Sequence, residues 1–352
     1  MKNILISTGG SGGHVVPATI LYEHLKNKFN LFMTSDVRGI KFLDKEKYNI
    51  EIMNVPKISK NIFLLPIQII SFIGLIFKAF FFLKNKNITI LISTGGYMSL
   101  PLCFASKILN IKLFLFEPNL VLGRSNKFFI KNCHKIFCYA DKIKNFPNNL
   151  KNKIFIIPPL LRKEFYNIRE INNKNKNVNL LIIGGSQGAK LFDTVLKNSI
   201  IRLSKKYTLK VYQQTTQNNL ESLMLFYHVN KIDNELFNFN EDISVFMEKA
   251  SLCLTRAGAS TLAELVFLNV PHVVIPLPTA KDNHQFENAF FYNQHGCNWI
   301  LNQNEINDNN LINKLFNIID NKEEYLNKKR NMKKFSYQNT WNNINQKIIF
   351  TI

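Results

Sequence analysis

Short apolar runs alternate with longer amphipathic stretches from the first residues onward. Residues 3–7 read as a buried strand, 8–14 as a glycine-rich turn, and 15–28 as a helix with Pro17 near its start. Apolar runs at 31–34, 88–93 and 112–116 predict further strands. Strands separated by helical spans point to a parallel sheet with right-handed crossovers. Residues 169–179 are polar, Asn-rich and aperiodic, and read as an interdomain linker. The rhythm then restarts with a strand at 179–183, a glycine-rich turn at 184–190 and a helix at 191–203. Strands at 252–255 and 272–275 follow, with a helix at 260–268 between them. A charged stretch at 322–334 leads into a final amphipathic helix at 335–352. Both halves open with strand, glycine turn and helix. That predicts an α/β protein of two doubly wound domains facing across a cleft, with ligands at the carboxyl ends of the strands.

One segment departs from this pattern. No charged residue occurs from Ile62 to Phe77, and after Lys78 the apolar run resumes through Leu83. A spanning helix needs about 20 predominantly apolar residues. Pro66, Gln68, Ser71 and Lys78 interrupt this one, so it reads as a helix with an unusually apolar face.

Composition narrows the classes. The 352 residues exceed what one core usually absorbs, and 46% hydrophobic with 20% charged residues excludes a disordered chain. The net charge of +21 favours anionic partners. Lys, Asn, Ile and Phe crowd every segment, linkers included, so compositional drift accounts for part of that charge and nucleic acid is not the expected partner. Five scattered cysteines without a C-x-x-C pair speak against a disulfide framework or zinc site and fit a reducing cytoplasm. The chain runs from Met1-Lys2-Asn3 straight into a strand, with no signal peptide expected.

The candidate chemistry sits at the glycine turns. Gly9-Gly10-Ser11-Gly12-Gly13-His14 follows a strand and opens a helix, so its backbone can approach a ligand and its free N–H groups favour anions. The dinucleotide fingerprint fails, because Val15 stands where the third glycine belongs, although Asp36 has the spacing of a ribose-binding acid. His14 lies in the first helical turn, where the partial positive charge disfavours imidazolium, and a neutral imidazole there suits a general base. Packing against the loop is the competing role. Residues 184–189 (GGSQGA) repeat the arrangement, and 256–264 (RAGASTLAE) form a third strand–turn–helix junction. There Ser260 or Thr261 can cap the helix. Glu264, one turn further, can accept from a ribose diol or close a capping box with Thr261. Residues 282–288 begin another helix carrying amide side chains able to orient sugar hydroxyls.

Six motifs now stand in order: GGSGGHVVPA (9–18), STGGYMSLP (93–101), FEPNLVLGRSNK (116–127), GGSQGA (184–189), RAGASTLAE (256–264) and KDNHQFENA (281–289). Together they resemble the peptidoglycan N-acetylglucosaminyltransferase family acting on undecaprenyl-diphospho-muramoyl-pentapeptide, over nearly the whole chain. The resemblance implies a GT-B fold of two Rossmann-like domains. Residues 1–163 would be the acceptor- and membrane-facing domain, with 336–352 packing back on it, and 164–335 would hold the UDP-sugar. It implies inverting transfer of N-acetylglucosamine from UDP-GlcNAc to the muramoyl 4-hydroxyl of the lipid-linked acceptor, in cell-wall synthesis. It also implies a peripheral protein on the inner face of the bacterial plasma membrane, touching anionic lipid around residues 62–83.

Carried over by position, the family's substrate contacts fall on Ser11, Gly12, Gly13, Asn119, Arg162, Ser186, Asn240, Ala259, Ser260, Thr261, Leu262, Ala263, Glu264 and Gln285, with His14 the candidate base. No cofactor and no metal are implied, and no Asp-x-Asp motif occurs. The chain departs from the family pattern at Phe116-Glu117-Pro118-Asn119 (usually His-Glu-Gln-Asn), Pro159-Leu160-Leu161-Arg162 (Asn-Pro-x-Arg) and Tyr212-Gln213-Gln214-Thr215 (His-Gln-Ser-Gly). A UDP-sugar epimerase or glycolipid glycosyltransferase of the same fold is one alternative. A non-catalytic lipid- or nucleotide-binding protein is another. The pair GGSGGH and STGGYMSLP, which faces the acceptor in the resembled family, speaks against the first, and retention of His14, Glu264 and both glycine loops against the second.

Overall fold

The computed structural model describes residues 1–56, 61–168, 177–184, 190–238 and 242–352. Two compact units divide the chain, Met1–Leu161 with Trp341–Ile352 and Arg162–Thr340.

The first unit is built on β1 (Asn3–Ser7), α1 (Gly12–Leu25), β2 (Asn30–Ser35), β3 (Ile50–Ile52), α2 (Leu65–Asn85), β4 (Ile88–Ser93), α3 (Leu100–Ile108), β5 (Lys112–Glu117), α4 (Arg124–Phe129), β6 (Lys135–Cys138) and β7 (Ile154–Ile156). All seven strands run parallel in the order β3-β2-β1-β4-β5-β6-β7. The inner strands are continuous apolar runs because helices cover both faces: Ile4, Leu5, Ile6, Leu91, Ile92, Phe114 and Phe116 have no exposed surface.

The second unit contains β8 (Val178–Ile183), α5 (Lys190–Val195), α6 (Lys197–Lys206), β9 (Leu209–Gln214), α7 (Gln217–Val229), β10 (Asp233–Phe237), α8 (Ile243–Lys249), β11 (Leu252–Thr255), α9 (Ala259–Phe267), β12 (His272–Val274), α10 (His284–Gln294), β13 (Trp299–Ile300), α11 (Asp308–Asp320) and α12 (Lys322–Ser336). Its parallel sheet has the order β10-β9-β8-β11-β12-β13. Helix α13 (Trp341–Thr351) belongs to the first unit, where Trp341 stacks on His24 of α1 with ring centroids 3.7 Å apart. The doubly wound α/β architecture expected from the strand–helix rhythm is therefore present twice. In each sheet the strand order reverses beside the first strand, between β1 and β4 and between β8 and β11, which is where such folds bind ligands.

Several expected boundaries shift. Helix α1 starts at Gly12, inside the presumed turn, so Gly12, Gly13 and His14 form its first turn. The helix expected at 191–203 is two helices meeting at Leu196, and the expected terminal helix divides, because α12 runs on to Ser336 before α13 begins. Asn179 lies inside β8, not in a linker, and residues 169–176 fall outside the described residues. Strands β3, β6, β7, β9, β10 and β13 are additions to the strands expected from the sequence, although β6 and β7 lie in apolar runs.

Candidate active site

In the first unit, the loop after β1 and the loop after β4 meet around His14. Ser11 stands extended before α1, and its side chain makes no cap bond. The amides of Gly12 and Gly13 open the helix, where no intrahelical acceptor exists for them. His14 sits half-buried, its Nδ1 2.8 Å from the carbonyl oxygen of Thr94. A carbonyl only accepts, so Nδ1 carries the hydrogen and Nε2 of the neutral ring keeps its lone pair. The ring lies against Gly95 and Gly96, both at positive φ (92° and 81°). A Cβ at Gly95 would sit 3.3 Å from His14 Cε1, so the turn and the imidazole fit only if that position lacks a side chain. The orientation of the His14 ring is thus set by the turn after β4, a partner the first motif alone does not reveal.

Asp36 corrects an expectation. Its spacing fits a ribose-binding acid, but its carboxylate is saturated within the fold. Oδ1 accepts from the amides of Gly10 (2.8 Å) and Gly39 (2.9 Å), and Oδ2 from Arg38 Nε (2.7 Å) and Nη2 (2.6 Å). Burial pushes this carboxyl up, but the two amides and the guanidinium hold it below its ordinary value. Asn119 stands on the loop after β5, where Glu117 accepts from both its backbone amide (3.2 Å) and its side-chain amide (3.0 Å). Glu117 also receives the Gly123 amide at 2.7 Å and the Asn126 side chain at 3.0 Å, so one buried carboxylate organises the whole turn.

In the second unit the candidate residues gather at the start of α9. Gly258 is the N-cap and no side chain caps the helix, contrary to the expectation for Ser260 or Thr261. The first intrahelical acceptor takes the Leu262 amide (3.0 Å to Gly258 O), leaving Ala259, Ser260 and Thr261 with free helix-start N–H groups. Leu262 and Ala263 are buried against the sheet and hold this turn in place.

Glu264 does not close a capping box. It is buried, and its Oε1 lies 3.4 Å from Arg162 Nη2. Burial raises its carboxyl above the usual value; Arg162 draws it down, while Glu164 nearby adds to the rise. Arg162 stacks over Phe165 and lies 3.6 Å from Glu164. Gln285 accepts at Oε1 from the amides of Leu277 (2.9 Å) and Ala257 (3.3 Å), which ties α10 to the loop before α9. Two further braces lie within the expected motifs, and Asn288, expected among the amides that orient sugar hydroxyls, is instead buried against the backbone. Arg256 donates to the carbonyls of Ile275 (3.0 Å) and Pro276 (3.4 Å), and Asn288 donates to Ala257 O (3.1 Å). Ser186 and Asn240 lie outside the described residues.

The glycosyltransferase family 28 N-terminal domain matches residues 4–138, and the family's C-terminal domain matches 179–344. A curated relative from Pelagibacter ubique is 63% identical over 351 residues, covering 100% of this chain and 99% of its own length. It is named UDP-N-acetylglucosamine–N-acetylmuramyl-(pentapeptide) pyrophosphoryl-undecaprenol N-acetylglucosamine transferase. A relative of the same name from Rickettsia canadensis is 35% identical, covering 91% of this chain and 92% of its own. Among solved structures, MurG from Acinetobacter baumannii superposes with a TM-score of 0.77 at 22% identity, covering 100% and 99% of the two chains. A UDP-GlcNAc 2-epimerase from Neisseria meningitidis superposes at 0.67 with 16% identity over the same shares. These structural likenesses establish the GT-B-like two-domain fold and are silent on the reaction. The two domain matches and the full-length identity establish the family: the chain belongs to glycosyltransferase family 28.

Proposed function

We propose that this chain transfers N-acetylglucosamine from UDP-GlcNAc to the 4-hydroxyl of lipid-linked muramoyl-pentapeptide, with inversion, in peptidoglycan synthesis. The activity named for its full-length relatives supplies the substrates. The geometric observation that carries the reading is His14: Nδ1 is committed to Thr94, and Nε2 is left open beside two glycine turns. In the proposed step, Nε2 takes the proton of the acceptor hydroxyl as that oxygen bonds to the anomeric carbon. The bond from that carbon to the β-phosphate oxygen breaks on the opposite face, and UDP departs with the electron pair. The free amides at the start of α9 would stabilise its charge. Glu264 would take the ribose hydroxyls, and Arg162, which offsets part of its buried charge, would lie beside the nucleotide sugar. We assign the acceptor to the first unit, with Ser11, Gly12, Gly13 and Asn119 at its site. UDP-GlcNAc goes to the second, with Ala259 through Glu264 and Gln285 and, by position in the sequence, Ser186 and Asn240.

The same reading places the enzyme at the inner face of the bacterial plasma membrane. Helix α2 is long and apolar enough to cross a bilayer, with a mean hydropathy of 2.0 and 6% of its apolar window buried. It packs on the folded unit through Ala79, Leu83 and the contact of Phe72 with Phe104 of α3, which favours lying in the interface over spanning it.

Incubation with radiolabelled UDP-GlcNAc, with and without a short-chain lipid-linked muramoyl acceptor, tests the reaction. Label should enter the lipid product only when the acceptor is present. UDP release without acceptor, or a 2-epimerised sugar as the product, would overturn the reading.

A further inference from the structure

We propose that Asp36, Arg38 and Tyr97 form a clamp that couples the two glycine turns and thereby positions the acceptor side of the reaction; the proposal rests on assigning the acceptor to the first unit. Asp36 stands just past the carboxyl end of β2 and is buried. One of its oxygens holds the amide of Gly10 in the first glycine turn. The other holds Arg38, whose Nη2 also donates 3.0 Å to the hydroxyl of Tyr97 in the second glycine turn. The guanidinium carbon lies 5.2 Å from the centroid of the Tyr97 ring, and Tyr97 passes its own hydrogen to the carbonyl of Val55 at 3.1 Å.

Steric contacts join the same parts. A Cβ at Gly9 would meet Asp36 Oδ1 at 2.7 Å and the Met98 sulfur at 2.9 Å, so the first turn is gripped between the acid and the second turn. A Cβ at Gly96, next to Tyr97, would be 3.6 Å from His14 Cδ2 and 3.8 Å from Gly9 O. The imidazole and the clamp therefore share the same two turns.

A carboxylate needed only to pin Gly10 and Gly39 has no use for an arginine that reaches across to the other turn. The reach makes the separation of the two turns a fixed distance, and an ångström lost there acts on the hydroxyl, the base and the glycine amides together. Asp36→Asn can keep a carbonyl for the two amides but faces Arg38 with an NH₂ group. Tyr97→Phe keeps the ring under the guanidinium and loses only the hydroxyl link.

Steady-state transfer is measured for the wild type, each variant and the double variant, with UDP titration and thermal melts alongside. Each single change should lower kcat/KM for the acceptor about 10- to 100-fold, the scale of a small misplacement. The double variant should be no slower than the worse single one, because one device has been broken twice. UDP affinity should not move, since its site is assigned to the other unit. Single variants with unchanged kcat/KM overturn the clamp. So do losses that multiply in the double variant, or a fall in UDP affinity together with the melting temperature, which marks general damage. A wild type that binds UDP and transfers nothing overturns the functional reading, and the clamp with it.

Discussion

The carboxyl of Glu264 is buried, and among the described residues Arg162 stands 3.4 Å from it. A carboxylate whose folded pKa is raised destabilises the fold above its unfolded value, so the empty protein gains nothing from it at neutral pH. Glu264→Gln should leave the melting temperature unchanged or higher while UDP affinity falls by about 1–3 kcal/mol. Calorimetric titration and a melt decide it; intact affinity with a lowered melting temperature would return the residue to a structural role. At His14 the expectation is a drop in kcat of roughly 10²–10⁴-fold for His14→Ala with UDP affinity retained. A loss of only a few-fold, with the acidic limb of the pH–rate profile intact, would move the base elsewhere. Position in the motifs marked both side chains but left each a structural alternative, and the family resemblance supplied their expected roles. What spacing could not supply is where backbone amides go: Asp36 had the position of a ribose acid, and only the fold shows Gly10, Gly39 and Arg38 consuming its acceptors.

Among the elements, strands β1, β4 and β11 were legible because helices on both faces demand unbroken apolar runs. Strand β10 reads DNELF and takes its place as an edge partner of β9, where one side of the ladder is open and polar residues are tolerated. Its sequence therefore resembles a loop. Helix α2 was visible from its apolar length, but which residues face outward was not. Phe63, Ile67, Ile70 and Phe77 are 85, 65, 70 and 61% exposed, whereas Phe80 is half-buried and packs edge-on to Phe81. Lys78, Lys84 and Lys86 stand exposed beside them; Lys57 and Lys60 lie outside the described residues. Changing Ile67, Ile70 and Phe77 together to Ser should leave a folded protein that binds UDP and no longer sediments with anionic vesicles. Wild-type binding should weaken with salt, each nearby lysine contributing about 1 kcal/mol. Unfolding of the triple variant, or no vesicle binding by the wild type at low salt, would remove the membrane role from this helix.

At the scale of the whole molecule, the repeated strand–turn–helix opening announced two doubly wound sheets, and in each the strand order reverses beside the first strand, the kind of position where such folds bind ligands. Hidden from the sequence was that each unit encloses a histidine. His24 stacks under Trp341 with neither ring nitrogen bonded, and His272 bonds only through Nδ1, to the carbonyl of Val270. Burial lowers both to about 4; Glu23 opposes this at His24, and the Val270 bond opposes it at His272, where Lys328 adds to the lowering. A histidine depressed in the folded state binds its proton more readily once unfolded. Stability is therefore full above about pH 6.5, the unfolded value, and falls as pH drops towards 4. Each pH unit of that descent costs about 1.4 kcal/mol per histidine. The depressed carboxyls of Glu23 and Asp36 surrender their contribution only at lower pH. Between 6.5 and 5 the His134 imidazole, lowered by burial and by Lys112, Lys135 and Lys153, adds to the fall, and the raised carboxyl of Glu264 opposes it, so the single variants identify the share of the two rings. Guanidinium titrations across that range should show a falling midpoint in the wild type. The fall should be shallower in His24→Phe, which keeps a ring against Trp341, and in His272→Gln. A fall as steep in both variants as in the wild type would mean that these rings already take up their protons inside the fold.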